Sequence, residues 1–306
     1  MGSSSRMPKV LLAVTFWDLE RQIRIQISQR LGVAVADATT PIESLPAHDV
    51  AALDSLLRAK AMANMPVTPQ TIAQARSLFS MALRSPPLAP EAKAGLAAVD
   101  LLTALNQRGG ALALALMECE RLVQEALVGE PRNVRALETL GALRRATGKP
   151  REALAAYEAV ALLNHNDANA QAQIGRLKLD LGEPVQALPH IELALRLSPM
   201  DAQRALWFTF AGLAQLYADE PGAARAWLEK SVAAAPQFVT ALIFLAAAQE
   251  LDGHETDARR TLDAARRINP TLSLRRVEQQ FVPTESQVQA QWSRIADSLR
   301  RIGLPN

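Results

Sequence analysis

The side chains best suited to bind a metal or attack a substrate are few in this chain, and their spacing serves neither purpose. His48, His165, His190 and His254 stand far apart. None pairs with Cys119 or with carboxylates at ligand spacing. The run Asp252-Gly253-His254-Glu255 gathers reactive residue types, but it falls where a helix hairpin has to turn, and it reads as that turn. Gly109-Gly110 lacks the Lys-Ser/Thr sequel of a phosphate loop, and no Gly-x-Ser-x-Gly elbow occurs. No catalytic residue, metal or cofactor is therefore expected, and the chain does not read as an enzyme.

Composition narrows what remains. The chain has 306 residues, 49% hydrophobic but only 4% aromatic. Such a balance suits helices packed through Ala and Leu rather than a β-sandwich. Its 33 basic and 31 acidic residues nearly cancel to +2, too little to suggest a direct nucleic-acid partner. One cysteine allows no intrachain disulfide, which is compatible with the cytoplasmic location expected here. No apolar run reaches the ~20 residues of a membrane helix. Residues 1–7, Met-Gly-Ser-Ser-Ser-Arg-Met, read as an expression-tag remnant.

The elements that must position any binding residues show themselves as a repeat. Gly141 and Gly175 are 34 residues apart, as are Gly148 and Gly182, and Pro236 and Pro270. Within each period, two helical patterns flank a turn such as Thr147-Gly148-Lys149-Pro150. Four regular units start at Val134, Ala168, Ala205 and Val239. Residues 202–204 are an excess before the third, expected as extra helix. Small residues recur where two antiparallel helices must cross closely, with a larger one in the groove beside them. Proline then stops the second helix.

Two looser pairs precede the regular units. One joins Asp49–Asn64 to Thr68–Arg84. The other joins Glu91–Asn106 to Ala111–Val128, with Gly109-Gly110 as its turn and Cys119 as a small buried core residue. The domain plan is an N-terminal segment over 8–46, a solenoid of about six pairs over 47–272 and a capping segment over 273–306. A single pair cannot cover its apolar face, so the pairs must stack.

A 34-residue period with these small, large and proline positions resembles the tetratricopeptide family. The resemblance implies an all-α, right-handed superhelical α-solenoid of antiparallel helix pairs, closed by a C-terminal capping helix. It also implies that positions 2, 5, 9 and 12 of each unit point into a concave groove that binds a protein or peptide. Those positions hold Arg135, Glu138, Ala142 and Arg145, then Asn169, Ala172, Arg176 and Leu179. The third unit has Leu206, Thr209, Leu213 and Leu216, and the fourth has Thr240, Ile243, Ala247 and Glu250. Candidate partner-binding residues are Arg135, Glu138, Arg145, Asn169, Arg176, Leu213, Tyr217 and Ile243. The arginines suit an acidic peptide or terminal carboxylate. The plainer reading, which the sequence favours, is that they are ordinary solvated helix charges.

The tail Leu299-Arg300-Arg301-Ile302-Gly303-Leu304-Pro305 resembles the closing segment of tetratricopeptide regions in bacterial class III adenylate cyclase-like proteins and related transcriptional regulators. Phe16-Trp17 with Leu19-Glu20-Arg21 resembles the segment that precedes the repeats there. The resemblance implies the regulatory portion of a larger signalling protein. No segment resembles the cyclase metal-binding carboxylates, so no cyclase activity is expected of this chain. Val288, Trp292, Ile295, Leu299 and Ile302 form one helical stripe. Residues 286–302 are expected to form a helix on the last repeat or in the groove. Leu19, Ile23, Ile27 and Leu31 make a second stripe, through which a homodimer scaffold is the alternative to a partner-binding module.

Overall fold

A computed structural model describes residues 47–62, 68–105, 109–281 and 289–305. The expected tag remnant, the N-terminal stripe, Phe16-Trp17 and Val288 lie outside the described residues. Every element described is helical. In chain order they are α1 (Ala47–Met62), α2 (Pro69–Ala82), a 3-10 turn (Pro86–Leu88), α3 (Ala89–Ala104), α4 (Gly109–Gly129), α5 (Val134–Ala146), α6 (Pro150–Leu163) and α7 (Ala168–Asp180). There follow α8 (Pro184–Leu197), α9 (Arg204–Tyr217), α10 (Pro221–Ala234), α11 (Val239–Leu251), α12 (Glu255–Ile268), α13 (Leu274–Phe281) and α14 (Gln289–Arg301). No described helix is long and apolar enough to cross a membrane. The chain divides into two compact units, one ending at Thr139 and one beginning at Leu140 within α5.

In the first unit α1 packs on α2, α2 on α3, and α3 on α4. Helix α2 opens with a reciprocal cap between Thr68 and Thr71. Phe79 of α2 lies against Gly95 of α3, where an added Cβ would stand 2.2 Å from the ring. Cys119 is fully buried, as expected, and its thiol donates to the Ala97 carbonyl at 3.3 Å. Gly109 and Gly110 are not the turn that the sequence suggested. They are the first two residues of α4.

The second unit is a regular stack. Helices α6 to α12 each pack on the next, and the first helices α7, α9 and α11 also touch in sequence. Each crossing is as close as its small residue allows. A Cβ at Gly141 would lie 2.5 Å from Tyr157, one at Gly175 2.5 Å from Ile191, and one at Gly212 2.5 Å from Leu228. In each case the neighbour follows sixteen residues later, so helix length and turn length set the contact. Proline opens α6, α8 and α10, where a missing N–H costs no helical bond.

The turns within the pairs need a left-handed residue. Gly148, Gly182 and Gly253 supply it with φ of 73°, 76° and 82°. In the third pair Asp219 takes this place with φ of 64°. The excess at 202–204 is mostly turn rather than the extra helix expected. Asp201 accepts from the Gln203 amide at 2.8 Å, and α9 begins at Arg204.

Candidate functional site

The eight sequence candidates divide between the two units. Arg135 and Glu138 belong to the first, the other six to the second.

In the first unit Arg135 is committed to a buried carboxylate. Its Nε lies 3.3 Å from Oε1 of Glu91, which Lys60 also reaches at 2.7 Å. Asn133 donates to the other Glu91 oxygen at 2.7 Å, and its own side-chain oxygen caps α5 by accepting from the Ala136 amide. Burial pushes the Glu91 carboxyl up, but Lys60, Arg135 and Asn133 together hold it below the usual range. This cluster ties α1, α3 and the start of α5 together. The sequence could not announce it, because the partners of Glu91 lie 31 to 44 residues from it. Arg135, a groove candidate by repeat register, is thus held in a structural ion pair. Glu138 is half-buried.

In the second unit the polar candidates lie on α5 and α7. Arg145 is exposed. Arg176 is mostly buried, pairs with Asp180 at 3.0 Å and lies over the Phe210 ring at 5.4 Å. Burial raises the Asp180 carboxyl, against the opposing pull of Arg176 and Arg145. Burial also raises the Tyr217 hydroxyl beside them. Asn169 is half-buried and accepts from Gln173 at 3.5 Å. Of the three arginines read as a carboxylate clamp, Arg145 alone is exposed.

The apolar candidates are closed off. Leu213, Tyr217 and Ile243 are 2%, 6% and 3% exposed. The cover is the tail. Helix α14 packs on α11 and α9, the first helices of the last two pairs, rather than continuing the stack behind α12. Trp292, Ile295, Ala296 and Leu299 are buried in one core with Leu213, Tyr217 and Ile243. Their spacing of i, i+3, i+4 and i+7 is a single helix face.

Polar contacts fix the tail's position. Arg301 reaches Glu250 with Nε at 2.5 Å and Nη2 at 2.8 Å, a two-pronged pair. Arg294 pairs with Asp219. Beyond α14, Gly303 turns with φ of 100°, Leu304 is buried, and the Pro305 carbonyl accepts from the Leu274 amide at 2.7 Å. The Gly-Leu-Pro ending therefore closes α14 and ties it to the start of α13, a short helix the sequence reading did not separate.

Thr209, placed in the groove by repeat register, is fully buried instead, within 2.9 Å of the Ser231 hydroxyl and donating to the Ala205 carbonyl. His190 lies 2.8 Å from Gln171, and His254 lies 3.4 Å from Asp252 at the opening of α12. Among the described residues no group of three or more His, Cys, Asp or Glu could hold a metal ion.

No protein-family model and no curated protein matches the chain. Solved structures do. PilF of Pseudomonas aeruginosa is similar with a TM-score of 0.60 at 18% identity, over 77% of this chain and 99% of that one. PilW, described as a widely conserved type IV pilus biogenesis factor, is similar with a TM-score of 0.52 at 17% identity, over 68% and 90%. A tetratricopeptide repeat protein from Parabacteroides merdae has a TM-score of 0.49 at 14% identity, over 83% and 92%. The likeness to PilF and PilW is one of fold. With the 34-residue period and the close-crossing pairs, it makes this an α-solenoid of tetratricopeptide-like helix hairpins.

Proposed function

We propose that this chain is a non-catalytic scaffold that binds a segment of another protein on the first-helix face of its second unit. One observation carries the reading: that face already holds a helix, α14, against α9 and α11. A surface that seats an amphipathic helix in this way supports helix-in-groove recognition of a partner. Beside the seat, Arg145 is exposed and Asn169 half-buried, leaving a polar approach on α5 and α7.

The finer reading is that the chain is the regulatory portion of a larger bacterial signalling protein of the cyclase-like kind. Its support is the tail Leu299-Arg300-Arg301-Ile302-Gly303-Leu304-Pro305. A homodimer scaffold is the alternative, and it rests on the Leu19, Ile23, Ile27 and Leu31 stripe.

Photo-crosslinking tests the scaffold reading. A photoreactive residue replaces Arg145, and a control replaces Val185, which is 77% exposed on α8. The expected result is a defined protein captured from position 145 alone. The same captured set from both positions would overturn the reading.

A further inference from the structure

The tail helix describes the ligand that its seat accepts. Its buried residues are Trp292, Ile295, Ala296 and Leu299 on one apolar face, with Ser298 beside them. Its cations Arg294 and Arg301 are seven residues, about two turns, apart. They meet Asp219, just past the end of α9, and Glu250, in the last turn of α11. Each acid therefore stands where a helix C-terminus adds its own partial negative charge. The seat is apolar along its length and negative at two points.

Several features make the seated tail replaceable. Arg294 and Asp219 are both more than half exposed, so water screens that pair, whereas Arg301, 56% exposed, meets a Glu250 carboxylate that is only 12% exposed. The amide oxygens of Gln291 in α14 and Gln249 in α11 are buried without a hydrogen-bond partner. Asp219 is the one described non-glycine residue with positive φ, and it stands at the tail's anchor.

Resting on the scaffold reading above, we propose that α14 is an internal blocker, and that the partner is a basic amphipathic helix that replaces it. That helix presents large apolar residues at i, i+3 and i+7, with two cations seven residues apart that meet Asp219 and Glu250. Tethering raises the local concentration of α14, so the partner competes against an intramolecular helix. Loosening the tail raises the apparent affinity of the seat.

The test uses the full chain and a labelled peptide of residues 289–305 as probe. In Trp292→Ala with Leu299→Ala the tail is unseated, and the peptide is expected to bind at least roughly tenfold more tightly than to the unaltered chain. Adding Asp219→Asn and Glu250→Gln is expected to reverse that gain. A peptide that binds no better to the unseated variant, or equally well with Arg294 and Arg301 both replaced by Glu, overturns the proposal.

Should the unseated variant fail to fold, Glu250→Arg serves, because it leaves the apolar residues of α14 and its seat in place. It is expected to raise amide exchange in α14, and Arg301→Glu in the same chain is expected to restore protection. Unchanged exchange overturns the proposal. Light scattering of the unaltered chain is expected to show no dimer that depends on Trp292. Such a dimer would assign the seat to a second copy and overturn the separate partner. Capture from position 145 alongside peptide failure would leave the scaffold standing and remove only the blocker.

Discussion

Asp219 holds the left-handed turn position that glycine holds in three other helix pairs, and its carboxylate is the one Arg294 of the tail helix reaches, 75 residues along the chain. Glycine would be the easier choice for the backbone alone, since a side chain at positive φ is uncommon, though Asp tolerates it better than most. The side chain there is explained by what it holds. Asp219→Gly should therefore leave thermal stability within about 1 kcal/mol of the parent while amide exchange in α14 rises. Asp219→Ala keeps the unfavourable backbone and loses the pair, so it should melt lower than Asp219→Gly. Thermal melts and hydrogen-exchange mass spectrometry on the two variants check this.

The glycines at the helix crossings give a second prediction. Gly175→Ala drives a methyl toward Ile191 and the Ala187 carbonyl, and the backbone oxygen cannot move aside as a side-chain tip could. A loss of about 1–3 kcal/mol is expected in urea unfolding. At Gly148 nothing lies within 4 Å of an added Cβ, so Gly148→Ala should cost only the backbone term, about 1 kcal/mol.

Glu91 gives a pH-dependent prediction. Its folded-state carboxyl lies below the ordinary value of 4.5, so the unfolded chain takes up its proton first as pH falls. The stability this group contributes is complete above about pH 4.5 and is lost as pH drops through the folded value. Glu91→Gln should flatten that acid limb. At neutral pH it should cost roughly 2–3 kcal/mol, because Lys60 and Arg135 lose their charged partner. Urea melts from pH 3 to 7 of parent and variant would show both effects.

Cys119 is expected to resist labelling. Burial, with Asp100 and Glu120 nearby, pushes its thiol up to about 12, so the reactive thiolate is scarce at pH 8. A maleimide should leave the native chain unmodified and label it once in denaturant.

The repeat was legible because its signal is periodic. The glycines at 141, 148, 175 and 182 and the following prolines mark crossing and turn at a fixed period, and local sterics alone demand them there. Contacts that obey no period were hidden. The meeting of Arg135, Lys60 and Asn133 at Glu91 depends on how successive helices stack. Register in the repeat placed Arg135 in a groove, yet a nearby buried acid captured it. The tail stripe was visible as a helix face. Its seat was not, since apolar periodicity says that a face is covered and not by what. Leu213, Tyr217 and Ile243 read from the sequence as partner-binding residues of a groove, and in the folded chain α14 covers them.

Hydrogen-exchange mass spectrometry on the full chain addresses the seated tail most directly. A free helix of 13 residues is marginal in water, so lasting protection of α14 requires that it be docked. The account predicts that the amides from Ile295 to Leu299 are protected along with those of α11, and that excess basic amphipathic peptide removes protection from α14 while α11 stays protected. Exchange of Ile295 to Leu299 at the rate of an unstructured peptide, in the unaltered chain and without any competitor, would contradict it.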